Sequence, residues 1–459
     1  MKLGFFFLFF TSLAFAQEHG ELKDHLEQVR FGGLKRILKE RYVRVLTTRN
    51  SFDYYIYQGK PKGIQYEMVR EFVNHLNRKY AKEKNQPKIQ FEMIPVDYDQ
   101  LIPLLKQGKA DLIAAGLTIT PARQKQILFS KSYRNIDEVI VTRKELADQP
   151  VTGKTFHVRK SSSYYESIRK YNRSVSKKWK VQSSFVSEEL NTENIIELVS
   201  LGKYDYTIAD SYLAEITASV FDQVHLHKIK PFGKNQKLAW AVRQEDSELA
   251  TEINAVLPKI RKGSLLGNVF SAKYFGDINT IKSNNFNLGT SFISEYDKLI
   301  KKYSEMYGFD WRLVAALCFQ ESRFNPDIVN KWGATGLFQI KQMTANEPYI
   351  NIKEITGRDN VENNIHAGIK YLSWIKKRYF DSEKDMKEKA RIRMAMAAYN
   401  AGPARVLKAI KLAKRMKLDP NRWFRHVELA MLAMRKTEPV TYVSEINKRY
   451  VAYLLLGFK

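Results

Sequence analysis

The sequence predicts two domains of different fold class, an α/β domain followed by an all-α domain. The chain has 459 residues, about three times the roughly 150 residues of a typical domain. From Tyr42 onward, strand-like and helix-like segments alternate, and beyond a polar stretch at 276–291 the strand patterns disappear. Such alternation is typical of α/β domains with largely parallel strands. Regions without it, rich in apolar residues at helical spacing, indicate helices joined by short loops.

The chain begins with MKLGFFFLFFTSLAFAQEHG, which has the layout of a secretory signal peptide. Lys2 precedes the apolar run 3–10, and the small-x-small motif at 14–16 predicts cleavage between Ala16 and Gln17. The alternative is an uncleaved anchor. No cysteine stands directly after this motif, which argues against a lipid anchor, and no later apolar run reaches the ~18 residues of a membrane span. The mature chain is therefore expected to be soluble or peripheral.

Charge and cysteine content narrow the expected partners. There are 76 Lys and Arg against 49 Asp and Glu, a net charge of +27, and such an excess attracts polyanions. For an exported chain these are cell-wall polymers or anionic membrane surfaces; without a nucleic-acid motif, no nucleic-acid partner is expected. A generally basic proteome is the alternative explanation. The single cysteine, Cys318, cannot form an internal disulfide and is interpreted as a core residue. The eight histidines lack ligand spacing, so no metal and no cofactor are predicted.

The α/β region reads as two lobes. YVRVLTT at 42–48 is a β-branched strand, followed by an expected loop and by a helix, GIQYEMVREFVNHLNRKY. A second strand is predicted at 88–96 and a third at 110–118, with a helix between them. The strand–turn–helix pattern recurs at 154–171 and 203–216, and a late strand is predicted at 237–244. This order fits two α/β lobes joined by crossovers.

The segments YDQLIPLLKQGKADLIAAGLTITPARQKQILFSKSY and YDYTIADS resemble the family-3 extracellular solute-binding proteins, over roughly residues 40–275. The resemblance implies that Arg123 binds a ligand carboxylate with Thr118 beside it, and that Asp210 holds a ligand amino group. A guanidinium matches a carboxylate in bidentate geometry. Backbone amides of the turn around Ser162, if they open a helix, would also suit an anion. The structural alternatives are that Arg123 is a surface residue and Asp210 a helix N-cap.

The all-α region contains four short motifs in a fixed order. FDWRLVAALCFQES predicts a helix that is capped by Asp310 and ends near Glu321. GATGLFQ follows at 333–339, then AAYNAG at 397–402, and TYV at 441–443. Together these motifs resemble the goose-type lysozyme-like domain of the lytic transglycosylases. Two positions depart from the usual pattern of that family. Phe338 stands where the family usually has methionine, and Lys341-Gln342 stand where a proline often follows.

The resemblance implies the roles of the residues in these motifs. Glu321 is the catalytic acid. Ser322 forms a hydrogen bond near the N-acetyl group of the sugar or near the acid. Gln339 contacts the sugar or positions its acetamido carbonyl. Tyr399 and Asn400 line the cleft, and Tyr442 stabilises charge beside the acid. The structural alternative for these residues is packing.

A single carboxyl group is consistent with this family. Glycosidases usually use two, and we identify no convincing second one, because Asp327 reads as a turn residue. An apolar setting should raise the pKa of Glu321 and keep it protonated as an acid. The resemblance implies that Glu321 protonates the leaving oxygen and then accepts the proton of the sugar's own C6 hydroxyl. Attack by that hydroxyl gives a 1,6-anhydro-muramyl end, and an internal nucleophile has a high effective concentration.

The sequence therefore predicts a multidomain peptidoglycan-cleaving enzyme. Its expected parts are a signal peptide (1–16), a lead-in (17–40), a two-lobed periplasmic solute-binding fold (41–275), a linker (276–291) and a lysozyme-like helical domain (292–459). The expected partners are peptidoglycan glycan strands and, in the first domain, a small amino acid or muropeptide that regulates cleavage. The resemblance implies a periplasmic protein peripherally associated with the outer membrane. The alternatives are a hydrolytic muramidase, a non-catalytic wall-binding sensor and, less compatible with the helical region, a nutrient-binding protein.

Overall fold

A computed structural model of the chain describes residues 28–81, 86–227, 232–275 and 292–458. The predicted fold class is confirmed: two α/β lobes precede a helical domain. The predicted signal peptide, most of the lead-in and the predicted linker at 276–291 lie outside the described residues. The described part of the lead-in ends in helix α1 (Gly33–Glu40).

The first lobe is built on a five-stranded sheet of order β4-β1-β5-β12-β6. Its strands are β1 (Tyr42–Thr47), β4 (Gln90–Pro95), β5 (Leu112–Ile113), β6 (Leu128–Ile136) and β12 (Gln236–Val242). Its helices are α2 (Ile64–Lys79), α3 (Leu101–Lys106), α4 (Pro121–Gln124), α8 (Ser247–Ile260) and α9 (Leu265–Phe275). Five of the six residues of β1 are buried, as expected for a strand covered on both faces.

The second lobe has a five-stranded sheet of order β11-β7-β10-β8-β9. Its strands are β7 (Glu138–Arg143), β8 (Thr155–Val158), β9 (Gln182–Phe185), β10 (Tyr206–Asp210) and β11 (Val224–Leu226). Its helices are α5 (Ser163–Ser174), α6 (Thr192–Ser200) and α7 (Ser211–Ala218). The chain passes from the first lobe to the second between β6 and β7, and returns between β11 and β12.

Strand direction differs from the sequence-based expectation. The sheets are mixed rather than largely parallel: β1 is parallel to β4 and β5, but β12 is antiparallel to β5 and β6. In the second sheet, β8 is parallel to β9 and β10, whereas β7 is antiparallel to β10 and β11. The antiparallel pairs all involve the strands next to the two crossovers, where the chain changes lobe without a returning helix.

A hairpin replaces the loop expected after β1. Strands β2 (Tyr55–Tyr57) and β3 (Lys60–Lys62) pair in antiparallel register around the two-residue turn Gln58-Gly59. Both turn residues have positive φ, 46° and 68°, which is the backbone of a type I′ hairpin turn. Glycine at the second turn position was the sequence signal for this hairpin.

The carboxy-terminal part is helical. Its helices are α10 (Asp297–Tyr307), α11 (Trp311–Ser322), α12 (Gln342–Asn346), α13 (Val361–Tyr379), α14 (Glu388–Ala401), α15 (Pro403–Arg415), α16 (Glu428–Ala433) and α17 (Thr437–Leu455). The expectation of no strands here was wrong in one place, because β13 (Ala334–Thr335) and β14 (Ile340–Lys341) form a short hairpin. The predicted GATGLFQ motif spans β13 and the turn of this hairpin, and its glycines Gly333 and Gly336 both have positive φ.

The first lobe and the helical domain pack together. Their buried apolar residues form one continuous cluster that includes Val45 and Tyr54 on one side and Tyr450 and Tyr453 on the other. Helix α17 supplies much of this contact, with Lys448 Nζ 5.2 Å from the ring centroid of Phe91. In the part of the chain that the structure describes, no helix is long and apolar enough to cross a bilayer.

Candidate active site

Glu321 is the penultimate residue of helix α11. The helix begins as predicted, because the Asp310 side chain accepts a hydrogen bond from the Arg312 backbone amide at 2.9 Å. Eight of its residues are buried, including Cys318. The helix stops at Arg323, which has a left-handed backbone (φ 55°), and Phe324 follows with φ 62°. Two consecutive non-glycine residues in this region are uncommon and typical of strained functional turns.

Burial dominates the electrostatics of Glu321. The pKa of its carboxyl is raised from 4.5 to about 7: desolvation is the largest cause, a hydrogen bond from Tyr442 acts against it, and the charge of Glu438 adds to it. A carboxylic acid with a pKa near neutrality is largely protonated in mildly acidic solution and can give up its proton during a reaction. Glu321 therefore has the electrostatic setting of a general acid.

Tyr442 on helix α17 contacts the acid directly. Its hydroxyl donates a hydrogen bond to Oε1 of Glu321. Tyr442 is buried, and burial together with the neighbouring glutamate raises its pKa well above the usual value, so it stays a donor. A neutral donor of this kind favours the carboxylate form of Glu321. The predicted proximity of these two residues, which are 121 positions apart in sequence, is present in the structure.

Tyr399 lies near the same carboxyl, and Gln339 lies in the turn of the β13–β14 hairpin. Tyr399, on α14, is close enough for the charge of Glu321 to raise its pKa further after burial has raised it, and its hydroxyl donates to the Phe338 carbonyl at 2.7 Å. Gln339 has φ 46°, and its Nε2 donates to the carbonyls of Ile328 and Gly336 at 2.9 and 3.0 Å. Gln339 thus holds the turn of the β13–β14 hairpin with its amide nitrogen.

Ser322 and Asn400 occupy different positions relative to the cleft. The Ser322 hydroxyl is buried and donates to the Cys318 carbonyl at 3.2 Å, one helical turn back, so it is directed into helix α11. Asn400 is partly exposed near the end of α14, immediately after Tyr399. The structure therefore brings Tyr442 and Tyr399 to Glu321 and places Ser322 against its own helix.

Two other carboxyl groups belong to this region. Asp327 is exposed and forms an ion pair with Arg358 at 2.6 Å, which lowers its pKa. This contact agrees with a turn residue rather than with a catalytic base. Glu438 is also exposed, at the start of α17, and its charge acts on Glu321. Sequence reasoning missed Glu438, which precedes the TYV motif by only three positions.

A cavity of about 390 Å³ separates the two α/β lobes. Its walls are the segments that follow the carboxyl ends of β1, β4, β5, β8, β9 and β10, which is where open α/β sheets bind ligands. Six acidic residues line the cavity, namely Asp53, Asp97, Glu188, Glu189, Glu193 and Asp210. The basic residues in its lining are Arg49 and Arg159. In a chain of net charge +27, this cavity is thus locally acidic.

Three of the four predicted ligand residues line this cavity. Thr118 and Ser162 are buried there, and the Thr118 hydroxyl lies 3.2 Å from that of Ser163 across the lobes. Ser162 caps helix α5, accepting from the Tyr165 amide. Asp210 precedes helix α7 but its side chain does not cap it. Instead it accepts from the Tyr164 hydroxyl at 3.0 Å, and burial, followed by the charge of Glu138, raises its pKa to about 7.

Arg123 is the predicted residue that the structure does not bring to the cavity wall. Its guanidinium is buried and donates to the carbonyls of Thr118 and Ser161, both at 2.9 Å. These two residues belong to different lobes, so Arg123 bridges the lobes behind the cavity. The guanidinium lies 5.5 Å from the ring centroid of Tyr98, which does line the cavity.

Several cavity residues escaped the sequence reasoning. Arg159 lies two positions before the serine turn at 161–163, and its position at the end of a predicted strand was a usable signal. Glu193 is buried at the start of α6, and desolvation raises its pKa to about 7. Asp53 is likewise buried with a raised pKa. Neither acidic residue belongs to a motif, so only the folded arrangement identifies them.

Comparisons with known proteins agree with this two-part arrangement. Residues 43–277 match the family described as bacterial extracellular solute-binding proteins, family 3, and residues 298–421 match the transglycosylase SLT domain. The first part also aligns with holo ArgBP from T. maritima, at 23% identity and a TM-score of 0.41, covering 53% of this chain and 100% of that one.

Several relatives that align with most of the chain share one name. The membrane-bound lytic murein transglycosylase F of Desulfosudis oleivorans is 30% identical over 405 residues, 85% of this chain and 82% of that protein. The protein of the same name in Methylobacillus flagellatus is 27% identical, covering 86% and 81% of the two chains, and that of Pseudomonas putida is 27% identical, covering 91% and 86%. The chain therefore belongs to the membrane-bound lytic murein transglycosylase F family, with a solute-binding domain ahead of its lytic transglycosylase domain.

Proposed function

We propose that the helical domain cleaves the β-1,4 bond between N-acetylmuramic acid and N-acetylglucosamine in peptidoglycan without water, with Glu321 as the single catalytic carboxyl group. The supporting observation is the setting of Glu321, a partly buried side chain whose carboxyl pKa is raised to about 7 by desolvation and which accepts a hydrogen bond from Tyr442. That pKa allows the same group to release a proton and to take one back.

The proposed reaction has two proton transfers on one carboxyl group. Protonated Glu321 gives its proton to the glycosidic oxygen as the C1–oxygen bond breaks. The resulting carboxylate accepts the proton of the muramyl C6 hydroxyl, while O6 forms the new bond to C1. The acid is regenerated and the product carries a 1,6-anhydro ring. Because the nucleophile is part of the substrate, it needs no second carboxylate to activate it.

The neighbouring residues are assigned supporting roles. Tyr442 stabilises the carboxylate form between the two transfers, because its hydroxyl donates to Oε1. Tyr399 and Asn400 form a cleft wall at the end of α14, and Gln339 presents its amide oxygen beside the β13–β14 turn. Ser322, whose hydroxyl donates to the Cys318 carbonyl, is assigned the role of holding the end of α11 beside the acid.

A digestion of peptidoglycan sacculi tests this proposal. The mature protein and Glu321→Gln are incubated with sacculi, and the released muropeptides are analysed by mass spectrometry. We expect wild-type products lighter by one water than hydrolytic ones, and none from the variant. Reducing ends would instead indicate a hydrolytic muramidase, with Glu438 as the first candidate for its second carboxylate. An inert wild type that still binds sacculi would indicate a wall-binding sensor.

We further propose that the first domain binds a small amine-bearing ligand, an amino acid or a muropeptide. Six carboxyl groups line its cavity against two arginines. Asp210, whose carboxyl does not cap α7, is the proposed partner of a ligand amino group. Arg159 and the amides that open α5 are the proposed partners of a ligand carboxylate. Arg123 is assigned the role of holding Thr118, because its guanidinium donates to the Thr118 carbonyl.

Calorimetric titration with free amino acids and with wall stem peptides tests the ligand class. Wild-type binding that is lost in Asp210→Asn supports the proposal. Binding of anionic ligands without an amine would overturn it.

Regulation of cleavage by this ligand is also proposed, because Leu455, the last residue of α17, lines the first-domain cavity while Tyr442 on the same helix contacts Glu321. A ligand can regulate only if it binds two states differently. Equal cleavage rates with and without a ligand proven to bind would refute this regulation.

We propose that the chain is exported to the periplasm and associates peripherally with the outer membrane. The name of the relatives and the predicted signal peptide support envelope association. Amino-terminal sequencing of the mature protein should begin at Gln17. Fractionation should release the protein from outer membranes with salt, and retention until detergent is added would contradict a peripheral attachment.

A further inference from the structure

A hairpin of the solute-binding domain touches the helix that carries Glu321. The tip of the β2–β3 hairpin, at Gly59, lies against helix α17, and the Tyr453 hydroxyl donates to the Gly59 carbonyl at 2.8 Å. Next to it, Lys60 Nζ lies 5.9 Å from the ring centroid of Phe319 on helix α11. Both helices that meet at the acid therefore contact this one turn.

Gly59 has no room for a side chain. A β-carbon built on it would lie 2.6 Å from Cε2 of Phe324, 2.8 Å from Cδ2 of Phe319 and 3.0 Å from the Tyr453 hydroxyl. Its φ of +68° also disfavours other residues. The hairpin tip is thus fitted between three aromatic side chains of the helical domain.

Two of these aromatic residues flank the acid in sequence. Phe319 precedes Glu321 by two positions and Phe324 follows it by three, and their rings pack edge to face with centroids 5.6 Å apart. Between them, α11 ends at Arg323, and Arg323 and Phe324 both have left-handed backbones. Such a backbone persists only where surrounding contacts hold it. The glycine tip supplies one of these contacts.

The other side of Phe319 is also fixed. The guanidinium of Arg449 on α17 lies 4.2 Å from its ring centroid and donates to Oε1 of Gln320 at 3.3 Å. Phe319 is thus held between an arginine of its own domain and the hairpin of the other. Both contacts act on the last turn of α11.

We propose that the β2–β3 hairpin is a positioning element of the transglycosylase site: its glycine tip fixes Phe319 and Phe324 and thereby the end of α11, where Glu321 stands. This inference rests on the proposed role of Glu321 as the acid. It assigns to the solute-binding domain a structural part in catalysis that is independent of any ligand. A displacement of about 1 Å at a catalytic group can cost about 100-fold in rate.

The test compares Gly59→Ala with Gly153→Ala in the full chain. Gly153 also has positive φ, +73°, but a β-carbon there meets nothing within 4 Å, so this variant reproduces the backbone penalty without the contact. Steady-state kinetics on soluble, uncross-linked glycan strands give kcat, KM and the pH profile. We expect Gly59→Ala to lower kcat about 10- to 100-fold and to shift the alkaline limb of the profile, with little change in KM. Gly153→Ala should match the wild type.

A milder variant keeps the test informative if Gly59→Ala unfolds. Tyr453→Phe removes only the hydroxyl that donates to the Gly59 carbonyl, and it should give a smaller change of the same kind. The proposal would be overturned if Gly59→Ala and Tyr453→Phe both kept the wild-type kcat and pH profile. Equal losses of kcat in Gly59→Ala and Gly153→Ala would also overturn it, as would an increased kcat in Gly59→Ala. Full activity of Glu321→Gln would instead overturn the proposed function, whatever the glycine variants do.

Discussion

The raised pKa of Glu321 predicts that Glu321→Gln stabilises the folded protein at alkaline pH. Burial raises this pKa from 4.5 to about 7, so the folded state binds the proton more tightly than the unfolded chain does. Below about pH 4.5 the carboxyl is protonated in both the folded and the unfolded state, so it does not change the free energy of unfolding. As the pH rises from there to 7, the unfolded chain ionises first, and the folded state loses stability relative to it. Glutamine cannot ionise and escapes this loss.

The size of the effect follows from the two pKa values. The interval from 4.5 to about 7, at about 1.4 kcal/mol per pH unit, amounts to about 3 kcal/mol. Glutamine retains an oxygen that can accept the hydrogen bond of Tyr442, so little is lost on that side. We therefore expect the variant to gain up to about 3 kcal/mol in free energy of unfolding at pH 8, and much less at pH 4.5.

Urea unfolding of both proteins at pH 4.5 and pH 8 measures this difference. Asp327→Asn is the matched control, because it makes the same chemical change at an exposed carboxyl whose pKa is lowered by Arg358. We expect Asp327→Asn to change stability in the opposite direction. A carboxyl whose pKa is lowered by folding stabilises the folded state at pH values above its unfolded-state pKa, so this variant should have a smaller free energy of unfolding at pH 8. A stability difference for Glu321→Gln that is the same at both pH values would refute the assigned protonation behaviour of Glu321.

Three further predictions concern single contacts. Tyr442→Phe removes the hydrogen bond that lowers the pKa of Glu321, so the alkaline limb of the pH–rate profile should move to higher pH and kcat should fall; an unchanged limb would contradict this. Gly368→Ala places a β-carbon 2.3 Å from Cβ of Phe338, so the free energy of unfolding measured by thermal unfolding should fall by about 1–3 kcal/mol. An unchanged free energy of unfolding would show that the helix shifts to accommodate the methyl group. Asp210→Asn should weaken binding of an amine-bearing ligand about tenfold or more in calorimetry, and equal affinity would exclude Asp210 as the amine partner.

Local patterns predicted the helix that carries Glu321 well. Asp310 was expected to cap α11 and does so, and the apolar run to Cys318 is buried as its composition indicated. The reason is that N-capping and helical spacing are interactions between residues a few positions apart. The motifs predicted the residues around Glu321. The effect of the Glu438 charge on the pKa of Glu321 depends on the packing of α17 beside α11, which no local pattern predicts.

The ligand cavity was less predictable. Motifs identified Thr118, Ser162 and Asp210, which do line it, but Arg123 forms backbone contacts behind the wall. An arginine side chain long enough to reach a ligand can equally reach a carbonyl of the opposite lobe, and the sequence does not distinguish a ligand contact from a backbone contact. The acidic character of the cavity arises from residues at the carboxyl ends of four strands, β1, β4, β9 and β10, and a sum over such distant positions has no local signature.

The two domains meet where a ligand effect on catalysis would be transmitted. The β2–β3 hairpin begins two residues after Asp53, which lines the cavity, and its tip contacts Phe319 and Phe324 beside the acid. Helix α17 reaches the same cavity at Leu455. A change in lobe closure would therefore act on Glu321 from both sides, through the end of its own helix and through the helix that carries its hydrogen-bond donor. Such coupling would appear as a ligand-dependent alkaline limb rather than as a change in KM alone, because both routes end at the proton-carrying group.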